Sequence, residues 1–277
     1  MASHRRLLAV FAHPDDETFG SGSTLARCAD RGIDITVVCA TQGEAGEIAP
    51  GSDATPETLG EVRESELRSA LKVLGVRSLI LLGYRDSGMA GSEDNKKPLA
   101  FINVPMAEAV ERLVGIIKEW QPQVIATTDP SGGYGHPDHI RVAELTTQAF
   151  KVASNSSTRS RMGEEHWKPQ KLYYHVFPRS QMMKWFQYIR EHDPDNDMAK
   201  VDPNTVGVED EAITTILDVS NYVDIRLKAV AQHRSQRSPF TTLPRQMTNE
   251  VLCRDYWIRA APPWTGGEPE TDLFDGL

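Results

Sequence analysis

Short apolar runs alternate with helix-like segments through the first half of the chain, and this alternation limits the fold more than any other feature. Leu7 to Ala12 is continuous and apolar, as a strand buried on both faces must be. Thr18 to Arg31 predicts a helix stopped by Gly32, and Ile33 to Ala40 a second strand rich in β-branched residues. After a polar loop, Thr41 to Gly60, a helix is predicted over Glu61 to Leu74. Its Val62, Leu67, Ala70, Leu71 and Leu74 fall at helical spacing, and Gly75 ends it. Leu79 to Leu82 predicts a third strand, Gly83 to Ala100 a second loop, and Pro105 to Trp120 a helix. Gln123 to Thr127 predicts a fourth strand, Thr128 to Gly135 a third loop, and Pro137 to Lys151 another helix.

This order predicts an α/β fold: a Rossmann-like, doubly wound, mainly parallel sheet with helices on both faces. The long loops follow strands, so they gather at the C-terminal edge of the sheet, where open α/β sheets carry their sites. In the common doubly wound order the first and fourth strands are neighbours where the winding reverses. The C-terminal part is irregular. Lys171 to Phe177 and Thr214 to Val219 read as strands and Asn221 to Arg234 as a helix. Asp193 to Asp197 reads as a polar insertion or cap, and the tail from Pro262 as mobile. The 277 residues suffice for one domain over 1–277. Residues 1–153 form its Rossmann-like part with both motifs described below, and 154–277 its substrate-side and C-terminal elements.

A formal charge of -9, with acids and bases intermixed, argues against a nucleic-acid partner, which needs a clustered basic surface. Cys28, Cys39 and Cys253 have no disulfide or zinc-finger spacing and predict reduced thiols in a cytoplasmic protein. The apolar run behind the short basic N-terminus stops at His13, too soon for a signal peptide or a membrane span.

Two segments carry chemistry. His13-Pro14-Asp15-Asp16-Glu17 stands where the first strand meets a helix. Proline at the first helical position and acids in the first turn are ordinary helix-start signals. They leave a histidine at a strand tip beside two carboxylates unexplained. His13 and Asp16 are three residues apart, so both can face one point as metal ligands, with Asp15 beside them as a base. Tyr134-Gly135-His136-Pro137-Asp138-His139 repeats the design after the fourth strand. Together the motifs offer two histidines and one carboxylate with an open position, the donor count of a catalytic zinc. Such a site suits amide hydrolysis, with a carboxylate as base and the remaining histidine at the oxyanion. His13-x-Asp15 with His139 also fits the facial triad of non-haem iron oxygenases. That reading, against which the α/β alternation argues, is kept as the alternative. No Gly-x-Gly-x-x-Gly follows the first strand, so a dinucleotide site is not expected.

Ala12 to Glu17 and Gly135 to His139 together resemble the LmbE / PIG-L family of zinc-dependent N-acetylglucosaminyl deacetylases. Thr41 to Glu47, Arg63 to Leu67, Gly83 to Met89 and His233 to Gln236 fit the same pattern, closest to the mycothiol-pathway type. The resemblance implies one Zn²⁺ per chain, with Fe²⁺ as the alternative, bound by His13, Asp16 and His139. It implies Asp15 as general base, His136 at the oxyanion and leaving amine, and Tyr134 as a mobile residue that also contacts the oxyanion. Asp138 would orient a neighbouring histidine, and Arg63 and Asp86 would hold the sugar. The implied partner is a small amino-sugar substrate, and some relatives form homo-oligomers. His233, on the predicted helix, reads either as approaching the site or as a satisfied buried histidine.

Overall fold

The computed structural model describes residues 4–155, 167–192, 194, 199, 201–202, 205–238, 240 and 243–277. Met1 to Ser3, His166, Asp193 and Asp195 to Asp197 lie outside the described residues. Seven strands form one sheet: β1 (Arg6–Phe11), β2 (Asp34–Thr41), β3 (Ser78–Tyr84), β4 (Val124–Thr128), β5 (Lys171–Val176), β6 (Thr215–Asp218) and β7 (Arg254–Ala261). Their order is β3-β2-β1-β4-β5-β7-β6. The strands β1 to β5 pair in parallel, and β7 runs antiparallel to both β5 and β6. β1 and β4 are neighbours, with Leu7 opposite Val124, so the winding reverses between them as the sequence predicts.

The side-chain alternation of β1 builds two cores at once. Leu7, Ala9 and Phe11 pack into one cluster with Leu25 and Ala26 of α2 (Gly22–Asp30) and Leu67, Ala70, Leu71 and Leu74 of α3 (Leu59–Leu74). Leu8, Val10 and Ala12 face the other side. There they meet Leu113 and Ile117 of α4 (Met106–Trp120) and Val142, Leu145 and Ala149 of α5 (Pro137–Asn155). Each leucine of this strand is fully buried, worth about 1.5–3 kcal/mol. A third cluster joins α6 (Arg179–His192), α7 (Val223–Val230) and α8 (Arg245–Leu252) through Trp185, Phe186, Val223, Val230 and Leu252.

Three expectations are corrected. The helix predicted over Thr18 to Arg31 is two: α1 (Asp16–Phe19) and α2, broken at Gly20 and Ser21. The carbonyls freed by the break are taken by Arg226 of α7, which is buried and bonds Thr18 O at 2.9 Å, Gly20 O at 2.7 Å and also Phe19 O. The helix predicted over Asn221 to Arg234 is a 3-10 turn, Ser220–Tyr222, followed by α7, which ends before His233. The tail is docked, with Leu273 and Phe274 each 1 % exposed. Glu270 clasps it to the sheet, bonding Lys171 Nζ, Arg259 Nη1 and Tyr173 OH, each at 2.7 Å. Glu270→Ala leaves Lys171 and Arg259 without their carboxylate. Urea unfolding is expected to register a loss of about 3–5 kcal/mol; a change under 1 kcal/mol contradicts the clasp. No helix among the described residues is long and apolar enough to cross a membrane.

Candidate metal centre and active site

The tip of β1 sets the first half of the site. The N–H groups of Ala12 and His13 donate to Asp16 Oδ2 at 3.1 and 2.9 Å, which fixes that carboxylate three residues downstream. Asp15, between them, has φ 126° and ψ -29°, a conformation that costs a non-glycine residue about 1–3 kcal/mol. Arg63, buried on α3, holds its side chain: Nη2 donates to Asp15 Oδ2 at 2.8 Å and Pro14 O at 3.1 Å, and Nη1 to Gly43 O at 2.6 Å. A Cβ at Gly43 would lie 2.3 Å from this guanidinium, and the residue has φ +67°, so only glycine lets the loop after β2 seat Arg63.

The second half comes from the loop after β4 and the start of α5. His139 Nε2 lies 3.1 Å from Asp16 Oδ1 and 3.1 Å from His13 Nδ1, and His13 Nδ1 is 3.8 Å from Asp16 Oδ2. Ring nitrogens of His13, His136 and His139 also lie within 4.8 Å of one another. Behind His13, its Nε2 faces Asp138 Oδ2 at 3.2 Å and Asp86 Oδ1 at 3.5 Å. Asp138 also accepts from Ser87 N at 2.9 Å, and Asp86 from Gly88 N at 2.8 Å and Ala45 N at 3.2 Å. Tyr134 is half exposed, its ring edge-on to His139 at 5.4 Å between centroids.

Proton placement shows what the site can hold. Carboxylates on His13 Nε2 require the hydrogen there, which in the neutral ring leaves Nδ1 a lone pair. His139 Nδ1 bonds Gly132 O at 3.2 Å, so it carries the hydrogen and Nε2 is the lone pair. In those tautomers two bare nitrogens and the Asp16 carboxylate face one another at 3.1 to 3.8 Å, an arrangement that a metal cation, or a proton, between them stabilises. Donors held tetrahedrally at metal-ligand distance are about 3.3 Å apart, so the set fits a dication. Without a metal the same cluster holds a proton in its place, which a dication would displace. Burial works against charge on His13, but bonds to Asp138 and Asp86 raise its pKa well above the usual value. Burial likewise opposes ionisation of Asp16, but the charges of His139 and His13 and the backbone bond hold its carboxyl well below the usual range. His136 is pushed down to about 4 by burial and by the charges of His13 and His139. It stays neutral, and because Asp138 N donates to its Nδ1 at 3.1 Å, its remaining hydrogen sits on Nε2.

A profile of the family described as GlcNAc-PI de-N-acetylase (PIG-L) matches residues 8–150, the span that holds both motifs. A 1D-myo-inositol 2-acetamido-2-deoxy-alpha-D-glucopyranoside deacetylase of Streptomyces scabiei is 36 % identical over 290 residues, covering 98 % of this chain and 90 % of the relative. The chain belongs to the PIG-L family. Two solved structures share the fold. The N,N'-diacetylchitobiose deacetylase of Pyrococcus horikoshii matches with a TM-score of 0.59 at 20 % identity, over 88 % of this chain and 73 % of that one. The 4-carboxy-2-hydroxymuconate hydratase of Pseudomonas putida KT2440 matches with a TM-score of 0.62 at 17 % identity, over 95 % and 99 %. A hydratase on this fold means that fold alone does not name the reaction of a PIG-L protein, and the site residues must.

The structure brings His13, Asp15, Asp16, Tyr134, His136, Asp138 and His139 together, with Arg63 and Asp86 directly behind them. The hydrogen bonds of Arg63 and Asp86 run inward to protein, and both residues are buried. The histidine that Asp138 contacts through its carboxylate is His13. Asp16, and not Asp15, closes on both histidines, against the His13-x-Asp15 oxygenase pattern. Sequence reading missed Gly132 and Ser87, which act through backbone atoms. It also missed Glu17, which a helix-start role had explained away.

Proposed function

We infer that the protein hydrolyses the N-acetyl group of an N-acetylglucosamine conjugate, of the GlcNAc-inositol kind, with a zinc ion held by His13 Nδ1, His139 Nε2 and Asp16. The observation that carries this reading is the convergence of two imidazole nitrogens and one carboxylate. The partly buried carboxylate of Asp15 and the neutral ring of His136 stand in the same site. Two nitrogens and one oxygen are the donors of hydrolytic zinc sites. Bound there, the ion supplies a Lewis acid that polarises the amide carbonyl and acidifies water.

The protein's groups do the rest. Asp15 takes a proton from the attacking water. His136 donates from Nε2 to the amide oxygen as negative charge gathers on it, and the Tyr134 hydroxyl, at the mouth, adds a second donor. Because His136 is neutral, the proton that the departing nitrogen needs is the one Asp15 has accepted. Water and amide thus become acetic acid and a free amine, and the acid gives its proton to solvent or to the amine as acetate leaves. Asp86 and Asp138 keep the hydrogen on His13 Nε2. Arg63 holds the Asp15 carboxylate in place through its guanidinium. The unpaired cysteines support a cytoplasmic setting.

The test is a panel of GlcNAc-inositol, N,N'-diacetylchitobiose and a glycolipid-type acetamido sugar, with acetate and amine measured together. Equal release of both, fastest from GlcNAc-inositol, is expected. Turnover without acetate, or none on any N-acetyl sugar, defeats the reading.

A further inference from the structure

The strained peptide of Asp15 is held from behind by a buried pair that no step above uses. Its N–H donates to Glu17 Oε2 at 2.9 Å, and its carbonyl accepts from Thr18 N at 3.0 Å and Phe19 N at 2.7 Å. Glu17 is 1 % exposed. Its other oxygen, Oε1, accepts from the Thr18 hydroxyl and from His233 Nε2 at 2.9 Å. A glutamate in the first turn ordinarily caps a helix from the surface. Here α1 has four residues, and an exposed glutamate would cap it as well. A buried carboxylate needs a partner, and this one comes from 216 residues away.

His233 stands in the turn after α7, its N–H on Val230 O at 3.1 Å. The next residues are pinned to α3: Ser235 N and Oγ donate to Glu66 at 2.8 and 2.6 Å. Glu66 is one helical turn from Arg63. One helix therefore fixes both supports of Asp15: Arg63 on its carboxylate, and the segment whose His233 braces Glu17 against its peptide. His233 Nδ1 is buried without a hydrogen-bond partner among the described residues, so Nε2 makes its polar side-chain contact.

We propose that Glu17 and His233 are positioning residues for the hydrolysis, locking the Asp15 peptide at positive φ so that its carboxylate faces the site. The proposal rests on the deacetylase reading with Asp15 as base. Neither residue touches substrate. Without His233, Glu17 loses its charge-assisted donor and no longer holds the Asp15 N–H in one place.

His233→Leu keeps the buried volume and removes the donor, while His233→Gln keeps an N–H near the same point. In His233→Leu and His233→Ala, kcat is expected to fall about 10- to 100-fold, with KM and metal per chain as in the wild type. His233→Gln should recover most of that loss. If the alanine variant does not fold, the leucine and glutamine pair decides. A leucine variant with kcat within twofold of wild type overturns the proposal, as does a rise in KM at unchanged kcat or loss of metal together with activity. A second readout needs no substrate. Hydrogen exchange at the Asp15 amide should rise by about tenfold or more in His233→Leu while β1 stays protected. Unchanged exchange overturns the lock. A wild type that releases no acetate, with exchange behaving as expected, defeats the deacetylase reading and leaves the lock standing.

Discussion

Asp15→Asn lowers kcat by about 10²–10⁴ while metal content and fold stay as in the wild type. Asparagine still offers Arg63 Nη2 an acceptor in place of the 2.8 Å bond and tolerates positive φ better than most residues, but it cannot accept a proton. Alanine is the poorer test, because it strands a buried guanidinium at a cost of about 3–5 kcal/mol. Near-normal turnover in the asparagine variant means that another group takes the proton. The pH profile supplies a check on the same residue. Burial, helped by the charge of Asp16 and opposed by Arg63, pushes the Asp15 carboxyl up to about 6. The base works ionised, so kcat/KM falls as the pH drops through this region. A bound dication draws that limb lower, and Asp15→Asn removes it.

His139→Ala costs the metal itself. His139 Nε2 is 3.1 Å from both of its co-ligands, so its loss leaves two donors and opens the ring of three. Metal affinity, measured by competition with a chelating dye, falls by more than about 100-fold, and acetate release falls with it. Asp138→Asn calibrates the result. Asp138 touches His13 on the far side of the ring, so its variant weakens affinity by about 10- to 100-fold and leaves the three donors in place. Equal losses in the two variants contradict the assignment of His139 as ligand. Full metal retention in His139→Ala shifts the centre to another set, such as His13, Asp86 and Asp138.

The sheet and the donor set were legible because both are local patterns repeated. The apolar run of β1 has a two-sided period that demands helices on both faces. Each His-Pro-Asp segment sits at the tip of a strand, and the neighbouring of β1 and β4 makes the two tips one place. β7 escaped notice because Arg254, Asp255 and Arg259 interrupt its apolar pattern. Those charges are tolerated by pairing: Asp255 bonds Arg226 at 3.0 Å and Thr24 Oγ1 at 2.6 Å. The break between α1 and α2 depends on the same Arg226, more than 200 residues downstream, which no local window contains. The pairing of Glu17 with His233 is invisible for that reason too: Glu17 alone reads as a helix-start residue, and His233 alone either as approaching the site or as a satisfied buried histidine. Arg63 and Asp86 were found through resemblance, yet their inward bonds follow from loop conformations that the sequence marks only with Gly43 and Gly88.

The most direct measurement is metal per chain and acetate release from GlcNAc-inositol in one preparation, before chelation, after it, and after zinc is restored. The account predicts about one ion per chain, loss of acetate release as the ion is removed, and its return with Zn²⁺. Undiminished acetate release from metal-free protein would contradict it.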